Sequence, residues 1–282
     1  MIRRIAEEER PLRFIASRVL WRSGLSTHFL IRRQAGPGAY RLRFFPSAVS
    51  SMAWAYPDRM AEEEAFVARE LQPGDVYVDV GANVGMLALR AASIVGPEGR
   101  VVAVEAHPRT AAFLAENVLL NGFVHVEIER VAVGDAPGEI SFTDRRSDDQ
   151  NGVSPDGSGS VRVPVTTLDD LLPAARLPHV HLLKIDVEGF ELSALRGATQ
   201  LLSRVDRLLF ESSPALCARY GYRCRDVHDL LRSAGFRLRH LGSATWLPDD
   251  YEPSEFADIV AERIPAGGPR RAPVPERGAA PL

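Results

Sequence analysis

The chain has 282 residues, 45% of them hydrophobic and 25% charged, with a formal net charge of −3. These values describe an ordinary globular protein long enough for one large domain, and they give no global reason to expect a nucleic-acid partner. Its two cysteines, Cys217 and Cys224, exclude a disulfide framework and stand at no zinc-binding spacing, so they read as packed thiols.

Residues 1–43 carry ten arginines against three glutamates, and Ile5, Leu12, Ile15, Val19 and Leu20 recur at helix-like intervals. This basic arm reads as a helix covering the domain edge. Pairing with a second subunit as a homodimer, or contact with an anionic partner, are the alternatives. A short strand over 40–46 completes an N-terminal segment, 1–59. A helix over 60–71 opens the main domain, 60–264, and is stopped by Gln72-Pro73-Gly74-Asp75.

A regular alternation follows. Strands are predicted over 76–80, 100–105, 124–133 and 179–186, and helices over 84–95, 108–121, 168–172 and 191–202. The series ends with a strand over 207–211, a helix over 225–234 and two strands over 236–241 and 256–263. The polar stretch 144–160 reads as a loop, with a lid over the acceptor as one option. The tail 265–282, with five prolines, reads as disordered. The pattern predicts an α/β fold, a doubly wound Rossmann-like sheet that is mostly parallel with an antiparallel last strand. No apolar run approaches the roughly 20 residues of a membrane span, and MIRRIAEEER lacks the apolar stretch of a secretory signal. A soluble cytoplasmic protein is expected, without a membrane partner.

Basic residues are arginine everywhere except Lys184. With abundant Ala, Gly and Pro, that bias suggests a GC-rich bacterial coding sequence. It also singles out Lys184, because a compact ammonium and a planar guanidinium are not interchangeable.

In a doubly wound sheet, ligands bind beyond the carboxyl ends of the strands at the switch point. The first strand of the series ends in Asp79, and Gly81-Ala82-Asn83-Val84-Gly85 turns straight into a helix. Glu105 ends the second strand, twenty positions after Gly85, where a carboxylate can hold the hydroxyls of an adenosine ribose. A nicotinamide dinucleotide needs G-x-G-x-x-G. Here Asn83 replaces the middle glycine and Gly85 comes one position early. S-adenosylmethionine suits the loop better, with Asp79 for its ammonium and Asn83 as a donor to its carboxylate.

These pieces resemble the FkbM-type methyltransferases. The matching runs are Asp79 to Gly85, Val104-Glu105-Ala106-His107-Pro108, Glu116-Asn117 with Leu120-Asn121-Gly122, and Val131 to Asp135. Thr167-Leu168-Asp169, Lys184 to Glu191 and Leu195 to Ala198 follow in order. Members more often have Pro at the position of Ala106. The resemblance implies a seven-stranded sheet and S-adenosylmethionine as methyl donor, leaving S-adenosylhomocysteine. The implied reaction is usually O-methylation of a natural product or sugar. It implies that Asp79, Gly81, Asn83 and Gly85 form the loop at the methionine end, that Glu105 binds the ribose, that Ala132 and Val133 meet the adenine, and that Asp186 lies beside the methyl group.

Methyl transfer is an in-line displacement, in which the protein aligns the nucleophile and removes a proton. Residues 184, 186 and 188 share one face if the strand stays extended. Lys184, Asp186 and Glu188 are therefore the catalytic candidates, Asp186 or Glu188 as base and Lys184 as the group that tunes them. The plainer reading is a structural Lys184–Asp186 ion pair, with Glu188 capping the next helix. Glu211 faces the same rim. No metal is assigned, although Asp186, Glu188 and Glu211 would suit magnesium. The expected activity is O-methylation of a hydroxyl on a small natural product or sugar. The alternatives are N- or carboxyl-methylation of an amino sugar or peptide, and a non-catalytic cofactor-binding interaction module.

Overall fold

The computed structural model describes residues 10–23, 29–33, 38–144, 151–154 and 156–264. In chain order its elements are α1 (Pro11–Ser23), β1 (Leu30–Arg33), β2 (Tyr40–Arg43), α2 (Ala48–Ala55), α3 (Ala61–Glu70), β3 (Val76–Val80), α4 (Met86–Val95), β4 (Arg100–Val104), α5 (Pro108–Asn121), β5 (Val126–Glu129) and β6 (Ala132–Val133). There follow β7 (Gly138–Phe142), β8 (Val161–Thr166), α6 (Leu168–Leu171), β9 (Val180–Ile185), α7 (Glu191–Arg196), α8 (Thr199–Leu202), β10 (Val205–Ser212), α9 (Pro214–Arg219), α10 (Cys224–Ser233), β11 (Phe236–His240) and β12 (Ala257–Arg263). The tail 265–282 and part of the 144–160 loop, residues 145–150 and 155, lie outside the described residues.

Seven strands form the main sheet in the order β11-β12-β10-β9-β3-β4-β5. β3, β4, β5, β9 and β10 pair in parallel, and β12, the last strand, runs antiparallel between β10 and β11. The sheet is thus the predicted doubly wound one. Its central strands are apolar on both faces because helices cover both. Val78, Val80, Leu183, Ile185, Leu208 and Phe210 pack on the α7, α8 and α10 side. Tyr77, Leu182, Leu209 and Val260 pack with Phe66 of α3 and Ala88 of α4 on the other. Chain order reverses at β3, whose neighbours are β4 and β9, so the crevice at their carboxyl ends is the switch point.

Two local readings differ from the structure, and one helix had no reading at all. The single strand expected over 124–133 is two: β5 belongs to the main sheet, whereas β6 joins β8 and β7 in a separate three-stranded sheet. The helix expected over 191–202 breaks at Gly197-Ala198. A Cβ on Gly197 would collide with the Gly134 carbonyl oxygen, so the chain must pass there as glycine. The helix α2, which has no clear periodic signal, is fixed at its start by Ser47, whose Oγ accepts the Ser50 N–H at 2.9 Å.

The N-terminal hairpin is held by two asparagines of α5. Asn117 Oδ1 accepts the Arg43 N–H and its Nδ2 donates to the Val84 carbonyl, each at 2.8 Å. Asn121 Oδ1 accepts the Arg41 N–H at 2.8 Å. Phe45 stacks on Phe113 with ring centroids 4.2 Å apart. The buried thiols Cys217 and Cys224 are in contact, Sγ to Sγ at 3.3 Å. Among the described residues no helix is long and apolar enough to cross a membrane.

Asp169 caps α8, accepting from the Thr199 hydroxyl at 3.0 Å and from the backbone N–H groups of Gln200 and Leu201. Asp169→Ala leaves these donors without their acceptor and should cost about 1 kcal/mol of stability. Urea unfolding is expected to show a lower midpoint at unchanged slope.

Candidate functional site

The carboxyl ends of β3, β4 and β9 open into one cavity. Its walls include Asp79, Gly81, Asn83, Glu105, Ala132, Val133, Lys184, Asp186 and Glu188, all but one of the cofactor-loop and catalytic candidates named from the sequence. Gly85 is the exception. It takes a left-handed φ of +94° at the start of α4, and a Cβ there would press on Leu114. Its part is to let the helix pack, not to line the cavity.

Gly81 turns the chain with φ +77°, and a Cβ on it would occupy the place of the Asp186 carbonyl oxygen. The β3 loop and the residue after β9 can therefore touch only because position 81 is glycine. Asn83 also has a positive φ, +51°. Its Oδ1 accepts the Val84 N–H at 2.7 Å, which offsets the strain of the turn. That engagement fixes the amide with Oδ1 toward the backbone, so Nδ2 is the donor end of the side chain.

Lys184 pairs across the sheet with Asp79 in register. Its Nζ donates to the Gly81 carbonyl at 2.9 Å and lies 3.3 Å from Asp79 Oδ1 and 3.4 Å from Asp186 Oδ2. Burial opposes the ammonium, but the pull of Asp186 and Asp79 outweighs it and holds its pKa above the ordinary range. Asp79 is raised by burial, an effect Lys184 partly offsets. Asp79 Oδ1 is buried with that ion pair but no hydrogen bond among the described residues, so it has acceptor capacity left for a ligand ammonium.

Glu105 is held from both sides. Oε2 accepts the Asn83 N–H and Oε1 the His107 N–H, each at 2.9 Å. Burial, opposed by those two bonds, pushes its pKa up to about 7. His107, the residue before α5, is buried. It is 3% exposed, with Nε2 at 3.3 Å from Asp144 Oδ1, and burial lowers its pKa.

The strand does not stay extended to Glu188. β9 ends at Ile185, Glu188 has φ +56° and Gly189 φ +96°. Glu188 reaches the cavity from a turn instead. That turn is clamped by Glu191, whose Oε1 accepts the N–H groups of Val187 and Gly189 at 3.0 and 3.1 Å. Tyr222 donates to the Gly189 carbonyl at 2.6 Å. Carboxylate oxygens of Asp186, Glu188 and Glu211 come within 4.8 Å of one another, and they are the oxygen donors in this crevice that could hold a divalent cation. Burial first, then the charges of Asp186, Glu188 and Glu191, drive Glu211 far above the usual carboxylate range.

Other walls had no signal in the sequence. Val49 and Met52 of α2, and Met60, come from the N-terminal side. Phe142, Asn151 and Val153 come from the β7 end and the strand-like return beside it, where Phe142 bridges Val153 and Tyr220 donates to the Val153 carbonyl at 2.8 Å. Neither set follows a motif, because each reaches the cavity through contacts distant in sequence.

The methyltransferase FkbM domain model matches residues 79–238, from the acidic end of β3 into β11. The chain belongs to this family and is, in class, an S-adenosylmethionine-dependent methyltransferase. A hexuronic acid methyltransferase, AglP of Haloferax volcanii, is 28% identical over 176 residues, 61% of this chain and 70% of the relative. Among solved structures, an S-adenosylmethionine-dependent O-methyltransferase of Thermotoga maritima aligns with a TM-score of 0.42 at 15% identity, covering 86% of this chain and 79% of that one. Aeropyrum pernix fibrillarin with natively bound S-adenosyl-L-methionine aligns with a TM-score of 0.40 at 16% identity, covering 68% of each.

Two outcomes follow from the geometry. Gly81→Ala forces the Asp186 carbonyl away and should destabilise the fold by about 2 kcal/mol, read by thermal unfolding. For Glu105 the folded-state pKa of about 7 stands above the ordinary 4.5, so its proton stabilises the ligand-free fold. That contribution is complete below the ordinary value and is lost as pH rises through the raised one. The ligand-free protein should lose up to about 3 kcal/mol between acidic and mildly basic pH from this group, and Glu105→Gln should remove that slope in urea titrations.

Proposed function

We propose that this cavity binds S-adenosylmethionine and transfers its methyl group to a hydroxyl of a sugar or small natural product. The observation that carries this reading is the grouping of Asp79, Lys184 and Asp186 at the switch point, with Glu105 one strand away in the same cavity. The fit rests on the cradle at Gly81, which leaves no room for a Cβ, and on the buried Asp79 oxygen with spare acceptor capacity.

When bound, the cofactor supplies a methyl carbon on a sulfonium, an already activated leaving group. Asp79 accepts from the ligand ammonium, and the Asn83 amide donates to its carboxylate. Glu105, its oxygens aimed by two backbone N–H groups, keeps lone pairs for the ribose hydroxyls. Ala132 and Val133 offer an apolar wall for the adenine. Asp186 orients the acceptor hydroxyl and, with Glu188, takes its proton as the new bond to carbon forms. Lys184 is a positioning residue, because its ammonium fixes Asp79 and Asp186 in one geometry. The hexuronic acid methyltransferase relative supports a sugar as acceptor.

Calorimetric titration should show S-adenosylhomocysteine binding and no binding of a nicotinamide dinucleotide; absence of the former would sink the proposal. In Asp186→Ala, turnover should fall by about a hundredfold or more, the scale of a lost general base, while S-adenosylhomocysteine affinity changes by less than about tenfold. Full turnover at saturation in that variant would contradict the assigned role.

A further inference from the structure

Cys217 and Cys224 are the two cysteines of the chain, and the fold puts their sulfurs 3.3 Å apart. Cys217 lies on α9 and Cys224 is the first residue of α10, so the residues between them form the link from one helix to the next. Both thiols are buried, yet Ala218, Arg219, Gly221 and Arg223 beside them in the chain are exposed. The pair therefore sits just beneath the surface.

Two tyrosines in this link hold walls of the cavity. Tyr220 donates to the Val153 carbonyl at 2.8 Å, and its ring packs edge-on against Phe190 with centroids 5.5 Å apart. Tyr222 donates to the Gly189 carbonyl at 2.6 Å and reaches Glu191 at 3.2 Å, the carboxylate that clamps the turn bearing Glu188. Val153, Phe190 and Glu188 all line the cavity. The Tyr222 hydroxyl also interacts with the Cys217 thiol, so the sulfur pair is one side chain away from the 187–189 turn.

The two thiols are not equivalent. Cys224 stands at the N-terminus of a ten-residue helix, where backbone N–H groups favour an anion. Its hydrogen bond with Cys217 moves its pKa down, and the same bond keeps the proton on Cys217, whose pKa it raises.

We propose that Cys217 and Cys224 form a disulfide when the protein meets a peroxide, and that closing it draws Tyr222 off the Gly189 turn of the cavity wall. The Cys224 thiolate attacks one peroxide oxygen. The O–O bond breaks, the departing hydroxide takes a proton to become water, and Cys224 becomes a sulfenic acid. The Cys217 sulfur then attacks that of Cys224, the S–O bond breaks, and hydroxide leaves with the Cys217 proton as a second water. The thiols give up two electrons and the peroxide takes them. Bonded sulfurs stand about 2.05 Å apart, so the pair closes by more than about 1 Å and carries the link with it. The 2.6 Å bond from Tyr222 to Gly189 does not survive a shift of that size. That this loosens a methyl-transfer site rests on the function proposed above; the disulfide and its effect on the turn do not.

The test uses the full chain, reduced, desalted and then exposed to hydrogen peroxide. Alkylation under denaturing conditions, read by intact mass, should show a single chain that has lost two hydrogens and takes no label, and dithiothreitol should restore labelling of both cysteines. Hydrogen exchange read by mass spectrometry should show the 187–189 amides exchanging at least about fivefold faster in the oxidised chain, the scale of one lost hydrogen bond. Cys217→Ala and Cys224→Ala should each abolish that change. Each variant is compared with itself before peroxide, so a difference in its own stability does not mask the result. Two labelled cysteines after peroxide, added oxygen in place of the disulfide, or a disulfide between chains would overturn the proposal. So would a disulfide that leaves exchange at 187–189 unchanged, or a change in exchange that persists in either variant. S-adenosylhomocysteine titration of the reduced chain separates the two readings: no binding there would remove the methyl-transfer function and leave the disulfide standing.

Discussion

A single buried ammonium joins the two strands between which the site opens. Lys184 reaches from β9 to the Gly81 carbonyl at 2.9 Å and to the carboxylates of Asp79 and Asp186 at 3.3 and 3.4 Å. Buried carboxylates are tolerated only when paired, and without that cation Asp79, 1% exposed, would have no counter-charge in contact among the described residues. The converging acceptors suit a compact point charge. A guanidinium presents its donors in a flat fork and would need a different arrangement. In a chain that otherwise uses arginine for every basic residue, the lone lysine therefore has a geometric reason to be there.

Around that junction the backbone takes conformations that few residues adopt. Gly81, Asn83, Glu188 and Gly189 all have positive φ, and their side chains or their lack of one decide whether the loops can meet. Strain of this kind persists only where the surroundings over-determine it. Here Glu191 accepts two N–H groups of the 187–189 turn and also receives the Tyr222 hydroxyl at 3.2 Å. Glu105 does the same for the β3 and β4 loops through Asn83 and His107. Two carboxylates thus act as staples of backbone, so that the acidic side chains facing the cavity are held before any ligand arrives.

The alternating strands and helices, the Asp79–Gly85 turn and the Lys184–Glu191 run were legible in the sequence because their signals are local: an apolar period, a glycine at a turn, an acid at a strand end. What was not legible depends on contacts far along the chain. Asn117 is part of a recognisable run, yet its work is to bind the Arg43 backbone 74 positions earlier. Val49 and Met52 line the cavity from the N-terminal segment 1–59, which the sequence reading sets apart from the main domain. Glu188 shows a subtler failure. Two-residue strand alternation carried through Asp186 gives it the correct cavity, but by an extended path that ends at Ile185 and turns at Glu188 itself. The burial of His107 had no local signal either; its ring lies 3.3 Å from Asp144, just past the end of β7.

The rim is poorly arranged for stability in the empty protein. Glu105, Glu211 and Asp258 are each pushed above the ordinary carboxylate range, by burial first. Apolar or amide side chains in those places would avoid that desolvation cost. Carboxylates kept where they resist ionising are a common mark of a working site. The pattern across the sheet points the same way. From β3 to β12, the strand-end acids Asp79, Asp186, Glu211 and Asp258 run across the carboxyl edge, and Lys184 contacts the first two. Acids crowded along one buried edge relieve their repulsion by holding protons, which is the direction in which Glu105, Glu211 and Asp258 are shifted.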